Sequence, residues 1–324
     1  MTYSLLDVAP VAPDETPADA LGRVVPLARA AERSGYRRVW YAEHHNLPQI
    51  ASAATSVVIG HVAAHTERIR VGAGGVMLPN HSPLVIAEQF GTLAAFHPGR
   101  IDLGLGRAPG SDRNTARALR LTAEAADAFP EDVLELRAFL GGEPAVPGVR
   151  AIPGHGSNVP LYILGSSLFG ANLAAALGLP YAFASHFAPA AMDTAAETYR
   201  ATYRPSAQHP EPHLIISANL VAAESEAEAE RQYRAALRFR ARALLMGARD
   251  LTDAQLDQVL DSPAGEQIRA MTVHTAVGTP DRVHAQLAAL AERTGADELM
   301  LAPAATDHHD RVRAVELVTA PARV

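Results

Sequence analysis

AERSGYRRVWYAEHHNLP, residues 31–48, begins as the end of a helix and finishes as the end of a strand. Ala31 to Ser34 close a helical stretch, Gly35 can take the left-handed conformation that terminates it, and YRRVWY is a short, mostly apolar run suited to a buried strand. The strand then runs into Glu43, His44 and His45, an acid and two imidazoles. The same grammar recurs: Phe96-His-Pro-Gly99 leads into RIDLGLGR, Ala174 to Gly178 into LPYAFASHF, and Ala291 to Gly295 into ADELMLAP. Four further strand candidates, YSLLDVA at 3–9, IRVGAGGV at 69–76, PLYILGSS at 160–167 and HLIISANLVAA at 213–223, bring the total to eight.

Short apolar strands of this kind are covered on both faces, and helical patterns separate most of them. Between Ala18 and Arg33, for example, Leu21, Val24, Leu27, Ala28 and Ala31 share one face. Eight parallel strands with intervening helices predict an α/β fold, a (β/α)8 TIM barrel, against the competing doubly wound open sheet. A single domain over residues 1–324 is expected, with insertions at the C-terminal face at about 107–159 and 224–279. The first holds a helix around Ala123 to Leu140 and then the Pro/Gly-rich GGEPAVPGVRAIPGHGSNVP. The second is helical, in SEAEAERQYRAALRFRARALLMG and LTDAQLDQVL, and carries few strand signals. Either a lid over the barrel mouth or an extra packing helix pair fits it.

Composition narrows the function. The 324 residues are 48% apolar and 19% charged, which suits a compact protein with a substantial core. The net charge of −7, with arginines scattered and no basic run, lacks the footprint of a nucleic-acid or anionic-membrane binder and points to a small-molecule partner. Without cysteine there is no thiolate nucleophile, iron–sulfur cluster or cysteine-ligated zinc. Without lysine there is no Schiff-base lysine and no P-loop lysine, so arginine is the permanent cation for any anion. The N-terminal MTYSLLDVAP has neither a basic start nor an apolar signal core, which makes a cytoplasmic location the expectation.

Barrel active sites lie at the C-terminal ends of strands. Here those ends carry Asp7, Glu43-His44-His45, Gly74-Gly75-Val76-Met77, Gly106-Arg107, Gly165-Ser166-Ser167 and Ser185-His186. A catalytic metal is not expected: adjacent His44 and His45 point to opposite faces of an extended strand, His61 and His65 in HVAAH lack the glutamate of H-E-x-x-H, and His308-His309-Asp310 follows the last strand. No G-x-S-x-G elbow occurs, and GLGRAPG has its glycines in the fourth βα unit, away from a dinucleotide fingerprint. Anion binding survives: Arg107 supplies charge, and Ser166, Ser167 and the helix start at Gly170 supply hydroxyls and N–H groups. The alternative is that the serines merely cap that helix.

WYAEHHNLP at 40–48, RIRVGAGGVMLPNHSPLVIAEQFGTLAAFHPGRIDLGLGRAPGSD at 68–112 and LYILGSSLFGANLAAALGLPYAFASHF at 161–187 together resemble the luciferase-like flavin monooxygenase family, and ELMLAP suits it as well. The resemblance implies an FMN-binding barrel, with the phosphate near Arg107, Gly165, Ser166 and Ser167 and the ring across the mouth beside Gly74, Gly75 and Met77. A non-proline cis peptide would fall at Gly74–Gly75. Ser185, Glu43 and these residues form the expected cofactor set; His44 would serve proton transfer, and His45 would be structural. Some relatives carry an acid where this chain has Ser166, which removes a repulsion toward phosphate. The implied activity is a monooxygenase in which reduced FMN and O2 form a C4a-hydroperoxide that oxygenates a small organic substrate. A separate flavin reductase and a homodimer through early helices such as 51–64 are implied too, although that stretch could equally be core. An F420-dependent oxidoreductase on the same barrel and a non-catalytic flavin-binding protein are the competing readings.

Overall fold

The computed structural model describes residues 1–12, 14–108, 112–122, 124–142, 146–245 and 251–319. Pro109 and Gly110 of the glycine-rich loop, Ala123, and Met246 and Gly247 at the end of the second helical insertion lie outside them. Among the described residues nine strands are formed: β1 (Thr2–Asp7), β2 (Arg38–Tyr41), β3 (Arg70–Met77), β4 (Ile101–Gly106), β5 (Leu161–Gly165), β6 (Tyr181–Phe183), β7 (Leu214–Ala222), β8 (Thr275–Gly278) and β9 (Glu298–Pro303). All pair in parallel in the order β6-β5-β4-β3-β2-β1-β9-β7-β8, and β6 also pairs with β7. That last pairing closes eight strands into a ring and excludes an open sheet. The chain is a (β/α)8 TIM barrel.

The glycines that punctuate the sequence act as expected. Gly35, Gly99, Gly178 and Gly295 have φ of 78°, 75°, 63° and 63°, the left-handed region that ends a helix and turns the chain into the next strand. The unpredicted element is β8. Its four residues lie in the helical interval 224–279 and find their place only because β7 is longer than β6. Leu214–Ile216 of β7 pair with β6, and Asn219–Ala222, which overhang it, pair with β8 on the same edge. A strand that exists to cover an overhang has little local signal. The same interval supplies the helices Glu226–Leu244, Asp253–Leu260 and Pro263–Met271.

Strand residues alternate between two cores. Leu5, Val39, Tyr41, Leu103 and Ile163 face the helices, while Leu6, Trp40, Tyr162, Ile215 and Met300 fill the barrel interior. Below this apolar layer the barrel floor is ionic. Arg38, fully buried, donates to Asp102 at 2.7 Å, to the Tyr162 hydroxyl at 2.7 Å and to Glu298 at 3.2 Å. Glu298 also accepts from Ser4 at 2.5 Å and bonds the His213 ring at 3.1 Å, and Asp102 accepts from Trp40 at 3.1 Å and from Arg70 at 2.9 Å. Two guanidinium groups thus meet two carboxylates with most of their hydrogen-bonding capacity engaged, which makes so much buried charge tolerable.

Candidate active site

Above the apolar layer the barrel opens into a cavity of about 770 Å3, lined by residues from the strand ends and by the helix Glu226–Leu244. The volume lies in the upper part of the range of small-molecule sites, ~300–1,000 Å3. Of the expected cofactor and catalytic residues, His44, Gly74, Gly75, Met77, Arg107, Gly165, Ser166 and Ser167 line it.

Gly74 and Gly75 are joined by a cis peptide bond. A Cβ on Gly74 would come within 2.8 Å of the Trp40 Cβ, and one on Gly75 within 2.8 Å of the Gly104 carbonyl oxygen, so the barrel wall leaves no room for a side chain at either position. On the neighbouring strand ends, Ser167 precedes the helix Leu168–Leu177 in an extended conformation, and its hydroxyl does not cap that helix. Helix capping by this serine is therefore not what the structure contains. Ser166, Ser167 and the first-turn residues Phe169 and Gly170 line the same mouth as Arg107, whose guanidinium stacks 4.1 Å from the centroid of the Phe169 ring. A cation, hydroxyls and a helix N-terminus on one rim form a donor set suited to a phosphate.

Two of the expected cofactor residues stand elsewhere. Glu43 does not line the cavity: it is 1% exposed and lies behind the wall. Its carboxylate accepts from His45 Nε2 at 2.8 Å, His81 Nε2 at 2.9 Å, Asn80 Nδ2 at 3.0 Å and the Met77 N–H at 3.1 Å. Burial alone would push this carboxyl up, but hydrogen bonds from His81, Asn80 and His45 outweigh it and hold the group below the usual carboxylate range. Glu43 thus ties the loop after β3 to the end of β2. Ser185 is also fully buried outside the cavity, donating to the Ser217 carbonyl. Strand parity explains both. Val39, Tyr41 and Glu43 face the helices while Arg38, Trp40, Ala42 and His44 face inward, and Ser185 shares the outward phase of Tyr181 and Phe183.

His44, by contrast, faces the cavity. Burial lowers its pKa, keeping the imidazole neutral near pH 7, and Nδ1 is buried without a hydrogen-bond partner. Across from it stands His186, whose importance the sequence reading missed. The Ser217 hydroxyl donates to the Phe183 carbonyl at 2.8 Å, so its oxygen accepts from His186 Nδ1 at 2.6 Å and leaves the lone pair on Nε2. Burial, reinforced by the nearby charge of Arg240 and by His44, pulls the His186 pKa down to about 3. Asn219 donates to the His186 carbonyl at 2.7 Å and completes this polar corner. Of the other histidines, His61 and His65 lie on an exposed helix end, while His309 and Asp310 sit beside Asp307 at the surface; none of these lines the cavity.

The model of the family described as luciferase-like monooxygenase matches residues 1–298. The chain belongs to this family. A luciferase-like monooxygenase of Escherichia coli strain K12 is 44% identical over 320 residues, covering 98% of this chain and 96% of that protein. An N-acetyl-S-alkylcysteine monooxygenase of Bacillus subtilis strain 168 is 34% identical over 268 residues, 80% of each. Among solved structures, apo-MsnO8 superposes with a TM-score of 0.89 at 37% identity, covering 98% of this chain and 97% of that one. A Type II Baeyer-Villiger monooxygenase component from Pseudomonas putida in complex with FMN and an F420-dependent secondary alcohol dehydrogenase share the fold, with TM-scores of 0.75 and 0.71 at 18% and 17% identity; each alignment covers 98% of this chain, and 96% and 97% of those structures respectively. The protein is thus an oxidoreductase of the luciferase-like monooxygenase family. Among the described residues no helix is long and apolar enough to cross a membrane.

Proposed function

We propose that this protein is an FMN-dependent monooxygenase that oxygenates a small organic substrate. The observation that carries the reading is the placement of a phosphate-type donor set, Arg107 with Ser166, Ser167 and a helix start, on the same mouth as a side-chain-free Gly74–Gly75 wall and a neutral His44. Those residues fit FMN: the anion cradle takes its phosphate, and the glycine wall admits a flat ring against the backbone. Bound reduced flavin supplies the electrons with which O2 is activated.

The chain supplies the rest. Arg107 and the serine hydroxyls fix the cofactor by its charge and so set where the ring stands. Glu43 holds Met77 and the loop behind it in register. Apolar walls such as Leu6, Ile215 and Met300 exclude water from the reacting atoms. His44, with an unpaired Nδ1, holds or accepts a proton at the cavity face, and its neutrality allows both at pH 7. The proposal includes a separate reductase that delivers reduced FMN. It includes a homodimer as well. Val58, Ile59 and Val62 of the helix Thr55–Ala64 are core, but Val57 is 70% exposed, and on the next helix Phe96 is 73% exposed.

The test is reconstitution with FMN and, separately, F420, followed by single-site variants. Arg107→Ala should weaken FMN affinity at least tenfold. His44→Ala should leave it within a few fold but sharply lower product formed per flavin oxidised. An unchanged dissociation constant in the first variant, unchanged coupling in the second, or binding of F420 alone would each overturn the corresponding part.

A further inference from the structure

The helix Glu226–Leu244 carries five arginines, and four of them are matched to acids. Arg231 pairs with Glu228, Arg234 with Asp257, Arg238 with Asp253 and Asp257, and Arg242 with Asp253. Among the described residues Arg240 has no acidic partner and no hydrogen bond; it lines the cavity. Its surroundings oppose its charge. Burial works against the guanidinium and outweighs the favourable Tyr233 side chain of the same helix, and His186, which feels the charge of Arg240, is no counter-ion for it. Among the described residues, no aspartate or glutamate lines the cavity at all, while the lining arginines are Arg107, Arg240 and Arg311. Arg311 is already bound to Asp7 at 2.8 Å.

A largely buried guanidinium with no counter-charge is costly unless a ligand brings one. We propose that Arg240 binds the anionic head of the substrate, and that the substrate is a carboxylate on an apolar body. This rests on the reading of the cavity as a flavin monooxygenase site, in which Arg107 and the Ser166–Ser167 rim are occupied by the cofactor phosphate. Arg240, on the helix that follows β7, stands with His186 and Asn219 from the ends of β6 and β7. The planar fork of a guanidinium matches a carboxylate in two parallel hydrogen bonds. The walls beside it, Phe187, Ile215, Tyr233 and Met300, offer the apolar contact that the rest of such a molecule needs. Asn219, whose amide nitrogen is engaged with the His186 carbonyl, keeps its oxygen for a polar substituent of the ligand.

The probe pair is 4-phenylbutyrate and its methyl ester, equal in apolar body and different in charge. Calorimetric titration of the full chain, with saturating FMN and again without it, should show the acid binding at least tenfold tighter than the ester. Arg240→Leu should erase that difference by weakening the acid alone, and Arg240→Lys should restore part of it; FMN affinity should stay within twofold in both. Equal binding of acid and ester to the wild-type protein overturns the assignment and needs no variant to fold. Discrimination that survives in Arg240→Leu overturns it too, as does a tenfold loss of FMN affinity in that variant, which would give Arg240 to the cofactor and leave the flavin reading intact. Acid-over-ester discrimination in a wild-type protein that binds no FMN would sink the flavin reading and keep Arg240 as a carboxylate receptor.

Discussion

Replacing Glu43 by Gln separates the structural role seen here from a direct role in cofactor binding. The carboxylate receives hydrogen bonds from His45, His81, Asn80 and the Met77 N–H, all between 2.8 and 3.1 Å, in a position 1% exposed. Glutamine keeps one oxygen and sets an amide nitrogen against groups that donate. An imidazole can change tautomer and the Asn80 amide can turn over to accept, but the Met77 backbone N–H can only donate. Hydrogen bonds to a charged group are worth about 1.5–3 kcal/mol each, and breaking a buried ionic cluster costs about 3–5 kcal/mol. With part of the cluster able to reorganise, the expected loss is about 3 kcal/mol of unfolding free energy, read from equilibrium urea denaturation. The same variant should bind FMN more weakly only to the extent that the Met77 loop loosens. A stability within ~0.5 kcal/mol of wild type, the range of an ordinary surface substitution, accompanied by a large loss of FMN affinity, would refute this assignment and return Glu43 to the cavity.

Gly75→Ala places a methyl 2.8 Å from the Gly104 carbonyl oxygen and 3.1 Å from its carbon, atoms of a neighbouring strand that cannot step aside, so a loss of about 1–3 kcal/mol is expected in urea unfolding. Burial alone would raise the Glu298 carboxyl, but the His213 hydrogen bond, the Arg38 charge and the Ser4 hydroxyl outweigh it and hold the pKa down to about 2. Because the folded value lies below the unfolded one, near 4.3, its contribution is complete above that pH and is lost as pH falls toward 2; stability measured from pH 5 to pH 2 should fall by about 3 kcal/mol more in wild type than in Glu298→Gln. The exposed residues Val57 and Phe96 give the dimer its test: Val57→Asp with Phe96→Asp should move sedimentation from dimer to monomer without lowering FMN affinity, and a wild-type monomer at micromolar concentration would dismiss the interface.

The fold was legible because its signals are local and repeated. A left-handed glycine before an apolar run needs no knowledge of distant residues, and the phases at Gly35, Gly99, Gly178 and Gly295 carry the barrel on their own. β8 was not legible, because four residues filling the overhang of β7 are selected by a neighbour remote in sequence. The site divides along the same line. Counting by twos from Trp40 puts His44 inside and Glu43 outside, and from Ala182 it puts His186 inside and Ser185 outside, so strand parity already contained the two corrections. Composition at the strand ends drew attention to polar residues without distinguishing their faces. Arg38 and Arg240 mark the limit of such reading. Both are arginines in amphipathic surroundings, yet one is neutralised by Asp102 and Glu298 from strands 64 and 260 residues away, while the other, on a helix whose remaining arginines all have acids, faces an acid-free cavity. Only the closed barrel brings those partners together or leaves them out, and the charge left uncompensated at Arg240 is therefore a property of the fold.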